Sequence, residues 1–238
     1  MGQGKIIELL PGSDVLVYNE KTGANHLVGN VSFKYQGSLM YCDSADYYDK
    51  SNEIRAYGHV HINRSDTLNL FCDSLYYNGT TKKSKLWGNV RIRDKEYKLT
   101  TDSMDYDLEL GQGVYRNQGK IESILNKEVL TSKVGYFYPR SKNLFFKGDV
   151  NYVGSDLKMT TDTLRYHYLS KTAHFFGPTT IINKESRLYC NKGWYQVENG
   201  EGVLQDKAIV FTGSKRINGD SIYHNPKKGL TIGRGHIF

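Results

Sequence analysis

Asp73-Ser74-Leu75-Tyr76-Tyr77, then Gly88-Asn89-Val90-Arg91-Ile92, then Asp102-Ser103-Met104-Asp105-Tyr106 follow one another along the chain. The same two phrases recur on both sides of them. Gly-x-Val-x-apolar appears at Gly29-Asn30-Val31-Ser32-Phe33 and Gly58-His59-Val60-His61-Ile62, with weaker copies starting at Gly119, Gly148 and Gly177. Asp206 takes the Gly place in the next copy and Gly235 opens the last, at intervals of 29, 30, 31, 29, 29, 29 and 29 residues. The second phrase, apolar-x-small-Asp-(Ser/Thr)-apolar-x-Tyr, has Asp14, Asp43, Asp73, Asp102, Asp162 and Asp220 in one slot, with Ser132 and Asn191 there in two copies. Tyr18, Tyr47, Tyr77, Tyr106, Tyr136, Tyr166 or Tyr195 follows four residues later, and His224 in the last copy. Two phrases held in phase over seven intervals mark a tandem repeat.

Around each Gly the apolar side chains fall at even offsets: Leu27, Val31 and Phe33; Leu86, Val90 and Ile92; Phe146, Val150 and Tyr152. Period two is the signature of a strand with one buried face. The Gly is expected on that face, where a missing side chain lets the strand crease. Around each Asp the apolar phase slips by one, from Leu70 and Cys72 before it to Leu75 and Tyr77 after it. A slip would turn the faces over unless a bulge or corner restores them, and a short Asp side chain can bond backbone at such a corner. Gly29, Gly58, Gly88, Gly148 and Gly177 and Asp43, Asp73, Asp102, Asp162 and Asp220 are therefore read as structural corners.

Each repeat then holds two strands of roughly ten residues. Short turns such as Asn63-Arg64-Ser65-Asp66, Asn78-Gly79-Thr80, Leu169-Ser170-Lys171, Asn199-Gly200-Glu201 and Asn225-Pro226-Lys227 join them and force antiparallel neighbours. The expectation is an all-β, elongated antiparallel jelly roll forming an open trough. It would have about eight repeats and roughly sixteen strands, with a length on the order of 75 Å. One domain over residues 1–238 is expected, possibly as part of a longer chain. No apolar run is long enough for a membrane-spanning helix. Met1-Gly2-Gln3-Gly4 runs almost directly into strand-like sequence, so a leader is expected to have been trimmed.

Composition narrows the chemistry. The chain carries 32 basic and 25 acidic residues, a net charge of +7, which suits an anionic partner without choosing one. Lys50, Lys82, Lys83, Arg140, Lys142, Lys171, Lys227 and Lys228 would line up in the turns as a basic ridge, interrupted by Glu109 and Glu198. Each slot carboxylate is alone in its repeat, without the second carboxylate that acid–base work or a calcium loop needs. Cys42, Cys72 and Cys190 immediately precede the Asp slot, where other copies have Thr, and read as buried free thiols. His59-x-His61 is the one metal-like pair, with no third ligand placed by the sequence. No catalytic residue, metal or cofactor is expected.

The Gly29-Asn30-Val31, Asp73-Ser74-Leu75-Tyr76-Tyr77, Gly88-Asn89-Val90 and Asp102-Ser103-Met104-Asp105-Tyr106 segments resemble the OstA/LptA-type lipopolysaccharide transport family. The resemblance runs from Leu10 to Ile237, and the copies around Ser132 and Asn191 depart from it. It implies a non-enzymatic scaffold of the periplasm, associated with the cell envelope, that shields lipid A acyl chains in an apolar groove. The inner-face residues assigned to that groove are Val31, Phe33, Val60, Ile62, Leu70, Val90, Ile92, Leu99, Ile121, Val150, Tyr152, Met159, Ile181, Leu188 and Val210. It also implies lipopolysaccharide or a similar amphiphile as ligand, and edge-strand pairing with other β-jelly-roll proteins or head to tail with itself, the cut at Phe238 leaving one such edge. No nucleic-acid partner is expected. Two other readings stay open: a structural or adhesive β-solenoid with parallel ladders, and a β-helix enzyme acting on acidic polysaccharide.

Overall fold

The computed structural model describes residues 7–35, 37–64, 68–107, 110–138 and 143–237. The expected roles of Ser65, Asp66, Glu109, Arg140, Lys142 and Phe238 lie outside these residues, as do Met1 to Gly4. The described residues contain nineteen strands, one short 3-10 turn at Pro226–Lys228 and no α-helix. The chain divides into two compact units, residues 1–117 and 118–238.

The first unit contains β1 (Glu8–Leu9), β2 (Val15–Asn19), β3 (Ala24–Tyr35), β4 (Ser38–Tyr48), β5 (Glu53–Arg64), β6 (Leu68–Asn78), β7 (Lys83–Arg93), β8 (Tyr97–Asp107) and β9 (Gln112–Tyr115). From β2 to β9 each strand pairs antiparallel with the next, and β1 pairs with the far half of β3. The second unit contains β10 (Gly119–Ser123), β11 (Val129–Ser132), β12 (Val134–Tyr138), β13 (Asn143–Val153), β14 (Leu157–His167), β15 (Thr172–Asn183), β16 (Ser186–Gln196), β17 (Gly202–Thr212), β18 (Lys215–Asn225) and β19 (Leu230–Arg234). Here β11 and β12 both pair with β13, and the meander runs on antiparallel to β19. Every one of these ladders is antiparallel, which removes the coil-on-coil solenoid. The strand number exceeds sixteen because creased strands are interrupted: β1 and β2 flank Pro11-Gly12, Lys133 separates β11 from β12, and the unit boundary separates β9 from β10.

The crease itself differs from the sequence expectation. In the β3–β4 pairing the register jumps from Val28↔Ser44 to Val31↔Cys42, so Gly29 and Asn30 together oppose Asp43. The β5–β6 and β7–β8 pairings skip Gly58-His59 and Gly88-Asn89 in the same way. Two residues against one is a β-bulge, which bends and twists the strand. Both residues of each pair are left-handed: Gly58 has φ +71 and His59 +44, and Gly88 has +72 and Asn89 +48. Glycine enters that region freely, and Asn, Asp and His enter it more readily than most other residues. The bulge therefore belongs to the Gly-x pair, with the Asp as its single opposing residue.

Nor does the Gly point inward. A Cβ on Gly58 would stand 2.2 Å from Asp43 Oδ2, and one on Gly88 would stand 2.3 Å from Asp73 Oδ2. The Asp residues are exposed, so these glycines lie under a carboxylate on the outer side of the bend. Two weak copies also shift. Gly119 is a buried strand residue paired with Ser132, and the left-handed residue is Gln118 beside it. In the following copy Ser132 is buried, as Cys42 is, and Lys133 stands in the Asp slot: Gly148 packs on Lys133 as Gly58 packs on Asp43.

Within each unit the bends fold the strands into two leaves, with the alternating apolar residues between them. Leu27, Ala45, Ala56, Val60, Leu86 and Val90 are 0% exposed in the first unit, as are Phe175, Ile181 and Ile222 in the second. Full burial of one such large aliphatic side chain is worth about 1.5–3 kcal/mol. This packing holds the leaves face to face without a disulfide, since Cys42, Cys72 and Cys190 are free and buried. Burial pushes each of these thiols up to about 12, which keeps them protonated and poor nucleophiles.

Candidate functional site

The apolar interior is built by position along the creased strand. Residues just before the Asp slot and just after the Gly-x pair line one leaf; residues on the other side of the bend line the other. Of the fifteen residues assigned to the inner face, Val31, Phe33, Val60, Leu70, Val90, Leu99, Ile121, Val150, Tyr152, Met159, Ile181, Leu188 and Val210 are buried. Ile62 and Ile92 are half-buried. Both pair with buried residues on either side, Ile62 with Met40 and Leu70 and Ile92 with Leu70 and Leu99. The assigned residues of each unit thus share one face, and that face is filled by its own side chains.

The first unit keeps a small apolar space between its leaves. A cavity of about 40 Å³ is bounded by Phe33, Met40 and Ile62 from one leaf and Ile54, Leu75 and Tyr77 from the other, with Ile7 also in its wall. That volume is smaller than a single acyl chain, so any long chain entering here has to move the leaves or their side chains apart. The second unit has instead a polar cavity of about 600 Å³ among its turns, lined by Glu128, Asp156, Lys171, Lys184, Glu198 and Asn199 among others. Lys171 Nζ lies 3.9 Å from Glu128 across it, and Lys184 Nζ lies 2.7 Å from Asp156. Lys171 therefore turns inward to a carboxylate, while Lys227 and Lys228 of the expected basic ridge sit in the 3-10 turn. In the first unit Lys82 lies over the Tyr35 ring, 5.1 Å from its centroid, and Lys50 is exposed.

The repeated tyrosines rim the interior. Tyr47, Tyr77, Tyr106, Tyr166 and Tyr195 are at most 8% exposed. Their rings meet the opposite leaf: Phe33 and Tyr47 are 5.6 Å apart, Tyr35 and Tyr77 5.5 Å, and Tyr152 and Tyr166 6.3 Å between centroids. Tyr195 OH accepts a hydrogen bond from Asn183 Nδ2 at 3.3 Å. A phenol suits this border because its ring is apolar and its hydroxyl is not. His224 fills the same place in the last copy, 3% exposed, with Nδ1 3.0 Å from Thr231 Oγ1. Its burial holds the imidazole below the ordinary histidine range, against a smaller upward pull from Glu185.

The slot carboxylates join the second residue of the next Gly-x pair. Asp14 bonds Asn30 at 3.2 and 3.3 Å, Asp43 bonds His59 at 2.7 Å, Asp73 bonds Asn89 at 2.8 Å and Asp220 bonds His236 at 2.8 Å. Two rungs reverse the polarity. Lys133 pairs with Asp149 at 2.6 Å, and Asn191 donates at 3.2 Å to Asp206, which is the first residue of its pair and not the second. At the Gly177-Pro178 copy the proline has no donor, and Asp162 takes the Thr163 hydroxyl instead at 2.8 Å. These are corner latches on the outer side of each unit, away from the apolar interior. The two histidines weighed as a metal pair are separately engaged. His59 is on the latch, and His61 stacks on Phe71 at 4.4 Å with Nε2 2.9 Å from Asn69. No group of three metal-ligating side chains occurs among the described residues.

Sequence reasoning missed the second residue of the Gly-x pair as the partner of the Asp. The signal was present as a constant separation: each latch from Asp14, Asp43, Asp73 and Asp220 reaches sixteen residues ahead.

A family model described as OstA-like protein matches residues 6–162. Among solved structures, the chain is similar to that of LptH from Pseudomonas aeruginosa, described as the LptA homologous periplasmic component of the conserved lipopolysaccharide transport device. That likeness is 16% in identity, with a TM-score of 0.43, over 46% of this chain and 83% of LptH. No curated protein matches the chain.

Proposed function

The chain belongs to the OstA-like protein family, and from that premise we propose that it is a non-enzymatic carrier of lipopolysaccharide in the periplasm, holding lipid A acyl chains between its leaves. The observation that carries this reading is the apolar lining within each unit, between two leaves that meet through side-chain packing and that no disulfide ties shut. Such a wall exchanges one set of apolar contacts for another when a lipid enters. Each buried methylene is worth about 0.8 kcal/mol, so one fourteen-carbon chain gains on the order of 10 kcal/mol before the cost of parting the leaves. Carriage needs no bond making, only this lining and a supply of energy from elsewhere.

The proposal extends to partners. In β2, Val15, Leu16, Val17 and Tyr18 are 50–54% exposed, so an edge strand presents apolar side chains on both faces. An uncovered edge of that kind is a template for strand addition, and we assign it to pairing with another β-jelly-roll protein or a second copy of this chain.

A photoreactive residue placed at Val60 or Val90 tests the lipid reading. Irradiation with labelled lipopolysaccharide is expected to crosslink at both positions and not at exposed Arg91. Label at Arg91 alone, or at none of the three, would remove the reading's main support.

A further inference from the structure

The mouth of the first unit is crossed by the chain itself. β1 pairs with one leaf only, through Glu8↔Lys34 and Leu9↔Phe33, and the Leu10 N–H donates to Ser32 O at 3.0 Å. Ile7, one residue earlier, has reached the other leaf. Its N–H donates to Asn52 Oδ1 at 3.2 Å, in the turn after β4, and its carbonyl accepts from Tyr47 OH at 3.1 Å. The Ile7 side chain is 2% exposed and forms part of the wall of the apolar cavity between Phe33, Met40 and Ile62 on one side and Ile54, Leu75 and Tyr77 on the other.

We infer that Ile7–Leu10 is a displaceable strap closing the apolar interior of the first unit, and that an acyl chain enters only as the strap is released. This rests on the lipid-carriage reading above. Three features make the strap the part that yields. It is short, with a ladder of two residues where β2 has five on the same strand and the β3–β4 and β5–β6 ladders have nine and ten. It is tied to the opposite leaf by hydrogen bonds from one residue. Its single fully buried side chain occupies apolar space that a methylene chain would fill equally well. Pro11-Gly12 follows directly, with Gly12 at φ +136, and separates the strap from β2. Release of Ile7 therefore leaves β2 and the rest of the sheet in register.

The strap acts as a built-in competitor. Burying an isoleucine side chain is worth enough to hold back an incoming ligand by about tenfold to a hundredfold. A ligand must exceed that to enter, so short or weakly apolar amphiphiles are refused while long acyl chains are admitted.

The test uses the full chain and dansyl-undecanoic acid as probe, with amide hydrogen exchange as a second readout that needs no variant. Ile7→Gly is expected to bind the probe at least tenfold tighter than the unaltered chain, and Ile7→Val about equally. In the unaltered chain, the Ile7 and Leu10 amides are expected to lose protection as the probe saturates. Equal affinity for Ile7→Gly and the unaltered chain, or amides that stay protected at saturation, would overturn the strap and leave lipid carriage standing. Absence of binding to every variant would overturn both.

Discussion

Asp43 Oδ2 stands 2.7 Å from His59 Nδ1, across the bend where β5 leaves register with its neighbours. The contact joins the two recurring sequence phrases, and it explains why they stay in phase. An Asp held at a fixed distance ahead of a left-handed Gly-x pair caps the bulge that creases each strand. The hydrogen bond, and next the charge of Asp43, raise the His59 pKa.

His59 is accordingly expected to titrate above the free value of about 6.5. Because its folded pKa is raised, its contribution to stability is complete below the unfolded value and disappears as pH rises through the folded one. Proton–carbon NMR of the imidazole checks this. Asp43→Asn should return the midpoint toward the free value; an unshifted midpoint in the unaltered chain would show the latch absent in solution.

Gly88→Ala is expected to destabilise by about 1–3 kcal/mol, since the new Cβ meets Asp73 at a backbone angle that L residues avoid. Gly23→Ala is the comparison. It has a similar angle, φ +70, with nothing within 4 Å, so only the backbone cost of about 1 kcal/mol applies. Urea midpoints of the two variants separate the contributions. Equal losses would mean that the carboxylate moves aside freely.

The reversed rung predicts a sign. Lys133→Asp puts a carboxylate against Asp149 and is expected to lower the thermal midpoint. Adding Asp149→Asn, which rebuilds the Asp–Asn arrangement seen at Asp73 and Asn89, is expected to recover it. A double variant no more stable than the single one would contradict the equivalence of the rungs.

These latches also mark where sequence reading stops. Strand phase and most buried positions were legible because burial obeys period two and the repeat supplies eight noisy copies of it, whereas the bend was placed at the Asp and belongs to the Gly-x pair opposite. Asn30, His59 and Asn89 were not legible, because alternation assigns them only an outward direction and says nothing of what they meet. Lys133 was hidden by its reversed charge, and Ser132 was the small residue that a search for an Asp-like slot picks up. Ile7 gave no signal at all: its burial comes from crossing to the other leaf, and a strand pattern does not encode such a path.

His224 should make the second unit acid-sensitive. Its burial lowers the folded pKa below the unfolded value, so its protonation opposes folding. Stability is full above about 6.5 and falls as pH drops from there toward the folded value. His224→Tyr, which restores the residue of the other copies, is expected to flatten the thermal midpoint between pH 7.5 and pH 5. An unchanged slope would assign the acid sensitivity elsewhere.

The claim on which carriage depends is that the leaves of a unit part around a lipid, and a spin-label distance reads this directly. Lys34 on β3 and Arg55 on β5 are exposed and lie on opposite leaves of the first unit. With a label at each, addition of lipopolysaccharide is expected to lengthen the mean separation and broaden its distribution. A distribution that stays fixed while lipid saturates the protein would mean that lipid binds outside a closed interior, and would contradict the account.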